Sequence, residues 1–265
     1  MKQLICAFLF FWLIVPSYGK NTSHFDSIIQ SAENGEVNAE IELGKKYTYG
    51  DIRYRDFSKA IILFQKAADQ GSPEAQVELG YMYSNALGVS RDYEKSFFWF
   101  QKAADKGNLR GEWALGYSFK RGYGTPKDLE KAIYWIGKAA EGGYPSAETE
   151  LGVDYESGRG VPKDESKAFE LYKRAADAGD SLGQVNLAAL YYNGLGVSRN
   201  YEDAFFWFQK AAISGNKFGQ YNLGLMYGKG LGVSKNYIAA TFWFVIAAIN
   251  HNEDAVRLLK TLVVR

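Results

Sequence analysis

The chain has 265 residues, 47% hydrophobic and 23% charged, with 31 Lys plus Arg against 30 Asp plus Glu. That apolar content excludes an intrinsically disordered chain, because burial can offset the entropy of ordering. A net charge of +1 removes the basic footprint that nucleic-acid binding requires, and one cysteine with two histidines leaves little for a disulfide, a transition-metal site or a Cys/His nucleophile pair.

The first element is an address. Residues 1–19 read MKQLICAFLFFWLIVPSYG: a basic start at Lys2, an uncharged run from Leu4 to Val15, a break at Pro16, then Ser17-Tyr18-Gly19. This predicts a secretory leader cleaved after Gly19. The alternative is a short membrane anchor, but the run falls short of the roughly 20 residues that span a bilayer. Cleavage removes Lys2 and Cys6 and leaves residues 20–265 with 30 basic and 30 acidic residues and no cysteine. The expected product is exported, periplasmic or secreted, not inserted in a membrane, and held together by packing alone. Asn21-Thr22-Ser23 is a glycosylation sequon that matters only in a eukaryotic source.

From there the chain repeats every 36 residues without insertion. Leu43, Leu79, Leu115, Leu151, Leu187, Leu223 and Leu259 mark the register, most followed by glycine. An aromatic follows four residues on, at Tyr47, Tyr83, Phe119, Tyr155, Tyr191 and Tyr227, and an Ala-Ala pair recurs from Ala67-Ala68 to Ala247-Ala248. A period of this length denotes stacked supersecondary units, none able to bury its apolar face alone.

Each unit reads as helix A, a loop, and helix B. In residues 72–107, Ser72-Pro73-Glu74 is an N-cap, a Pro at the first helical position and an acid in the first turn, and helix A follows to about Ser84. Asp92 caps helix B, in a column with Asp56, Asp128, Asp164, Asn200 and Asn236. Gly107 ends it, in a column with Gly71, Gly143, Gly179 and Gly215, where a left-handed C-terminal cap favours glycine. Gly44, Gly80, Gly116, Gly152 and Gly224 inside helix A predict a close helix crossing, since glycine there otherwise costs about 1 kcal/mol. Trp99, Trp135, Trp207 and Trp243 share one helix B column and are expected to fill the space between units. Val89, Val161, Val197 and Val233 are expected to plug the loops, and unit one is irregular, with Ile52 where later loops place glycine.

Phe25–Glu33 aligns with a helix B before the first unit and 253–264 with a helix A after the last, where Arg257, Lys260 and Arg265 suit a solvent-facing end. The predicted fold is therefore all-α: a right-handed αα-hairpin solenoid over 20–265, with six full repeats between half-repeat caps.

The pattern resembles the Sel-like repeat family, relatives of the tetratricopeptide repeat. The best copy is Gly183 to Gly215, with Leu187, Tyr191, Gly194-Leu195-Gly196-Val197, Asn200-Tyr201, Ala204, Trp207, Ala211-Ala212 and Gly215; Gly183, Ala188 and Asn200 depart from the family's Ala, Gly and Asp. The resemblance covers residues 25–264 and implies a protein-binding scaffold, in exported bacterial members one that works in the envelope or on host proteins. A cysteine-rich branch linked to β-lactam binding is excluded by the missing cysteines.

No catalytic constellation, cofactor site or metal site is found. The Asp column reads as helix caps. Gly228-Lys229-Gly230-Leu231-Gly232 lacks the ending of a phosphate-binding loop and any preceding strand. His251 occupies the terminal glycine column and reads as a cap partner, and His24 is expected to be disordered. The expected function is protein binding, as a monomer, through a concave face lined by helix A. There the columns beginning at 41, 45 and 48 vary between copies and so are free for a partner to fix. Trp113 leads, with Tyr117 and Tyr81, and Val77, Tyr221 and Leu225 complete the expected contact set. The alternatives are a periplasmic regulatory or assembly scaffold, and a cell-wall or β-lactam-directed enzyme.

Overall fold

The structure is a computed structural model that describes residues 18–263. Residues 1–17, which hold most of the expected leader with Cys6, and the terminal Val264 and Arg265 lie outside the described residues. All elements among the described residues are helical. Helix α1 (Tyr18–Glu33) is followed by six hairpins: α2 (Val37–Tyr49) with α3 (Phe57–Asp69), α4 (Pro73–Asn85) with α5 (Tyr93–Asp105), α6 (Leu109–Arg121) with α7 (Leu129–Glu141), α8 (Pro145–Ser157) with α9 (Glu165–Asp177), α10 (Ser181–Asn193) with α11 (Tyr201–Ile213), and α12 (Lys217–Lys229) with α13 (Tyr237–Ile249). Helix α14 (Glu253–Val263) follows. His24 lies within α1 rather than in a disordered tail.

Two compact units divide the chain. The first runs to Gly111 and includes Tyr123–Thr125; the second comprises Glu112–Gly122 and the chain from Pro126 onward. In the first, α1 packs on α2, α2 on α3, α3 on α4 and α4 on α5. In the second, each helix from α7 to α14 packs on its successor, and α10 also touches α8 and α12. Neighbours meeting in chain order is the architecture of an all-α solenoid.

The hairpins are closed by a bond repeated in every copy. The backbone N–H of the helix B cap residue donates to the carbonyl of the helix A aromatic, as in Asp92 to Tyr83 at 3.0 Å and Asn236 to Tyr227 at 2.9 Å. The same cap residue accepts from inside helix B: Asp92 from the Lys95 N–H, Asp164 from Lys167, Asn236 from Ala239. The predicted capping column is thus confirmed. At the far end of helix B the Ser72 N–H reaches the Ala67 carbonyl at 3.1 Å and the Gly71 N–H reaches Ala68 at 2.9 Å, a Schellman pair recurring through Asn252. It requires a left-handed residue, and the column is glycine until His251, which adopts φ 60°.

The intra-helical glycines mark contact with helix B of the same hairpin. A Cβ at Gly80 would lie 2.3 Å from the Phe100 ring, and one at Gly152 2.6 Å from Tyr172. Between hairpins the Ala pair meets the next helix A: a Cβ at Gly219 would lie 2.7 Å from that of Ala211. The core is therefore a chain of small-on-large contacts, with Phe64, Ile136, Tyr172, Leu187 and Leu223 fully buried. In the irregular first loop, Ile52–Tyr54 forms a 3-10 turn with Ile52 77% exposed.

Candidate binding surface

A helix turns 100° per residue, so an outward line follows positions i, i+4, i+7 and i+11. On the A helices the line starts at the second residue. It is Asn38, Glu42, Lys45 and Tyr49 in α2, Leu182, Asn186, Ala189 and Asn193 in α10, and Phe218, Asn222, Leu225 and Lys229 in α12. The predicted surface used the columns beginning at 41, 45 and 48. Only the middle one lies on this line.

Column 41 turns inward. Ile41, Val77, Thr149 and Val185 are buried, so the expectation that Val77 meets a partner is corrected: at 1% exposure it belongs to the core. The column varies although it is buried, and where it holds Thr149 the hydroxyl donates to Asp180 at 2.9 Å. Trp113, in the same column, is half-buried against Ile136, Ala139, Ala140 and Ala147. Its ring lies 5.9 Å from Tyr117 and 5.7 Å from Tyr144. Tyr117 is half-buried, with the Arg121 guanidinium 5.2 Å above its ring. Tyr81 sits edge-on to Phe100 at 5.2 Å and 4.4 Å beneath Arg110. Tyr221 leans on Phe244 at 5.7 Å, and Leu225 lines a cleft described below.

In the first unit the line is consumed by ion pairs. Lys45 pairs with Glu74. Glu78, 1% exposed, accepts from the Tyr49 hydroxyl at 2.7 Å and from Arg110 at 2.6 Å. Burial, with Glu78 next, pushes the Tyr49 hydroxyl pKa up to about 12.

The second unit holds a buried ion cluster between α6 and α8. The Lys120 ammonium donates to Asp154 at 2.7 Å and to Glu150 at 2.5 Å. The Lys120 side chain is 4% exposed and Asp154 fully buried. Burial drives the Asp154 carboxyl above its ordinary range, opposed chiefly by Lys120. Beside it the buried Tyr172 donates to Glu156 at 2.7 Å. Every group here has a partner within the cluster, so it reads as a structural bridge between successive A helices.

Repeats 5 and 6 differ. A cleft of about 230 Å³ opens there, lined by Ala189, Tyr192, Asn193, Phe208, Asn222 and Leu225. The Asn193 and Asn222 amide nitrogens each donate back to their own helix, to Ala189 and Phe218 at 2.9 Å. Their carboxamide oxygens are the groups left to accept. Lys229, 3.5 Å from the Tyr192 hydroxyl, is the line's charged end.

A further polar column was missed from the sequence. Glu40, Gln76, Glu112, Glu148, Gln184 and Gln220 occupy one helix A position, all buried. Gln76, Gln184 and Gln220 donate to the last Ala carbonyl of the preceding helix B, at 3.2–3.3 Å. Glu112 and Glu148 pair with Lys138 at 2.6 Å and Arg174 at 2.5 Å. Burial raises the Glu148 carboxyl, opposed first by Arg174. Six polar residues in one column beside the core leucine were the available signal.

These features define a class: an αα-hairpin repeat scaffold whose polar groups serve the joints between repeats. The chain belongs to the Sel1 repeat family, whose model matches residues 37–72, 73–108, 109–144, 145–180, 181–216 and 218–252. Proteins of this family are typically protein-interaction scaffolds. Among solved structures, the chain is similar to the c5321 protein, a protective antigen of uropathogenic Escherichia coli strains with an SLR fold, at 35% identity and TM-score 0.71. The match covers 87% of this chain and 50% of that one, so the chain spans half the length of that relative. A Sel1 repeat protein from Oxalobacter formigenes matches at 29% identity and TM-score 0.73, over 84% of this chain and 86% of that one. An immunity protein from Pseudomonas aeruginosa, Pa5087, shares the fold at 21% identity and TM-score 0.59, covering 80% of this chain and 81% of that one. No curated protein matches the chain. No described helix is long and apolar enough to cross a membrane.

Proposed function

We propose that the chain is an exported protein-binding scaffold, without catalytic activity of its own, that holds an extended segment of a protein partner on the A-helix line of repeats 5 and 6. One observation carries this reading: the cleft between Ala189, Asn193, Asn222 and Leu225 is open, while the line in the first unit is closed by ion pairs. Amide oxygens beside aliphatic walls suit a partner strand, taking its backbone N–H groups and its apolar side chains. Tyr221 lies on the same helix, and Tyr81, Trp113 and Tyr117 are half-buried rings elsewhere in the repeats. Export, to periplasm or medium, rests on the leader-like residues 1–19. The antigenic character of the E. coli relative agrees with it, since a protective antigen is accessible to antibody.

Two measurements test the reading. Protein recovered from the extracytoplasmic fraction is expected to begin at Lys20; an uncleaved chain confined to the cytosol defeats the export claim. The pair Asn222→Ala with Leu225→Arg is expected to leave the helical circular dichroism unchanged. It should abolish cross-linking of any partner captured from envelope or host extracts by the unaltered chain. Equal cross-linking by both forms defeats the assignment of the surface.

A further inference from the structure

A second cavity, of about 500 Å³, opens between α7 and α9, floored by Leu151 and Tyr155 of α8 and walled by Ile133, Gly137, Leu171 and Arg174. Its origin follows from the repeat. The seventh residue of helix B is Trp99 in α5 and Trp207 in α11, each 8% exposed, and Leu171 in α9. Trp207 packs backward into one core cluster with Phe169, Ala176, Leu187 and Tyr191. Trp99 packs with the equivalent Ile61, Ala68, Leu79 and Tyr83. Stepping 36 residues back from the Trp207 set gives Ile133, Ala140, Leu151 and Tyr155, all of which line the cavity. The opening is therefore the indole socket of the fourth repeat with leucine in place of the indole. Gly137 widens it, where repeats 1, 2 and 5 carry Gln65, Gln101 and Gln209.

The charge beside the socket fits the same occupant. Lys102 lies 5.2 Å over Trp99 and Lys210 4.9 Å over Trp207. At the matching position Arg174 is held by Glu148 at 2.5 Å and by the Ala140 carbonyl at 2.8 Å. Its own helix offers Glu170 and Leu171 where the others offer two rings. The cation is fixed at the cavity wall without the π-face that its counterparts cover.

We propose that this cavity takes a tryptophan side chain presented by a protein partner, the indole replacing the ring that repeat 4 lacks and stacking under Arg174. The site is separate from the cleft of repeats 5 and 6, and its test does not depend on that cleft.

The test uses the full chain and N-acetyltryptophanamide at millimolar concentration, read by backbone amide shifts in a nitrogen-labelled sample. Binding is expected with shifts centred on Gly137, Leu171 and Arg174, and N-acetylleucinamide is expected to bind about tenfold more weakly because it brings no π-face. Leu171→Trp restores the residue that four other repeats carry; it should fold, melt higher, and weaken tryptophanamide binding about tenfold or more by filling the socket. Gly137→Gln closes the cavity from the other helix, should do the same, and serves if the first variant fails to fold. Absence of shifts at these residues, binding indifferent to either substitution, or equal binding of the leucine probe overturns the proposal.

Discussion

The outward line of the A helices is built in two ways. In the first unit Lys45, Glu74, Glu78, Tyr49 and Arg110 satisfy one another across successive repeats. In repeats 5 and 6 of the second unit the same positions hold leucine, alanine, phenylalanine and asparagine, with Lys229 at the end, and Ala189, Asn193, Asn222 and Leu225 among them line an open cleft. A ligand meeting the first line must separate ion pairs and strand a carboxylate that is 1% exposed. A ligand meeting the second finds amides, aliphatic carbon and the Tyr192 and Phe208 rings instead. The backbone frame is the same in both, so side chains alone decide which stretch can bind and which can only hold repeats together.

The largest expected effect tests the holding role at its most buried point. Lys120→Met removes the ion-pair partner of the buried Asp154, leaving only the weaker field of Arg159, and is expected to cost about 3–5 kcal/mol in denaturant unfolding. Adding Asp154→Met, the residue of that column at Met82 and Met226, should recover most of the loss, because an apolar pair of similar volume replaces a buried ion pair without penalty. The pH dependence has a definite sign. Burial already holds the Asp154 carboxyl high. The folded chain therefore keeps that proton to higher pH than the unfolded chain does, and stability contributed there falls as pH rises through the interval. Without Lys120 the carboxyl rises further, so the penalty of Lys120→Met is greatest at neutral pH and shrinks on acidification through the carboxylate range. A loss independent of pH, or no recovery in the double variant, would show that the cluster is not the joint described.

Next in size is the first unit's own joint. Arg110→Met removes the cation from Glu78 while the Tyr49 hydroxyl remains to donate. The expected loss is about 2 kcal/mol, less than at Lys120 because one partner stays and Arg110 is partly solvated. Asn222→Ala in repeat 6 should change stability by under about 0.5 kcal/mol, since it touches no buried joint. If the two variants cost the same, the contrast between a holding line and an open line fails.

How much of this was legible in the sequence follows from what a 36-residue period can and cannot carry. Features shared by most copies were readable: the Leu register, the Asp or Asn caps, the terminal glycines and the helix A glycines that face Phe64, Phe100 and Tyr172. The facing of variable columns was not. Variation at Ile41, Val77 and Val185 falls in a buried seam and variation at Lys45, Tyr81 and Leu225 at half-buried positions, so a substitution pattern alone cannot separate them. The Lys120–Asp154 pair joins unlike columns 34 residues apart, so no periodic signal marks it. The emptied tryptophan socket was present as Leu171 in a tryptophan column, but its consequence needs the neighbouring Gly137 and Leu151 in space.

A stabilising pair of substitutions checks that the backbone frame is common to both regions. Two residues other than glycine occupy left-handed positions among the described residues: Ala86 at φ 58°, ending α4 in the first unit, and His251 at φ 60°, after α13 in the second. Apart from Gly50 in the irregular first repeat, at φ −70°, the matching residues of other repeats are glycines with φ between 68° and 92°, such as Gly194 and Gly230 for Ala86 and Gly179 and Gly215 for His251. A Cβ in this region costs about 1 kcal/mol, and glycine returns part of it as greater freedom in the unfolded chain. Ala86→Gly and His251→Gly should therefore each stabilise by about 0.5–1 kcal/mol, read as a rise in melting temperature. Partner cross-linking at the Asn222 and Leu225 cleft should not change. Gains of similar size at the two sites place the difference between the regions in their side chains. A gain at one site and a loss at the other would place it in the backbone.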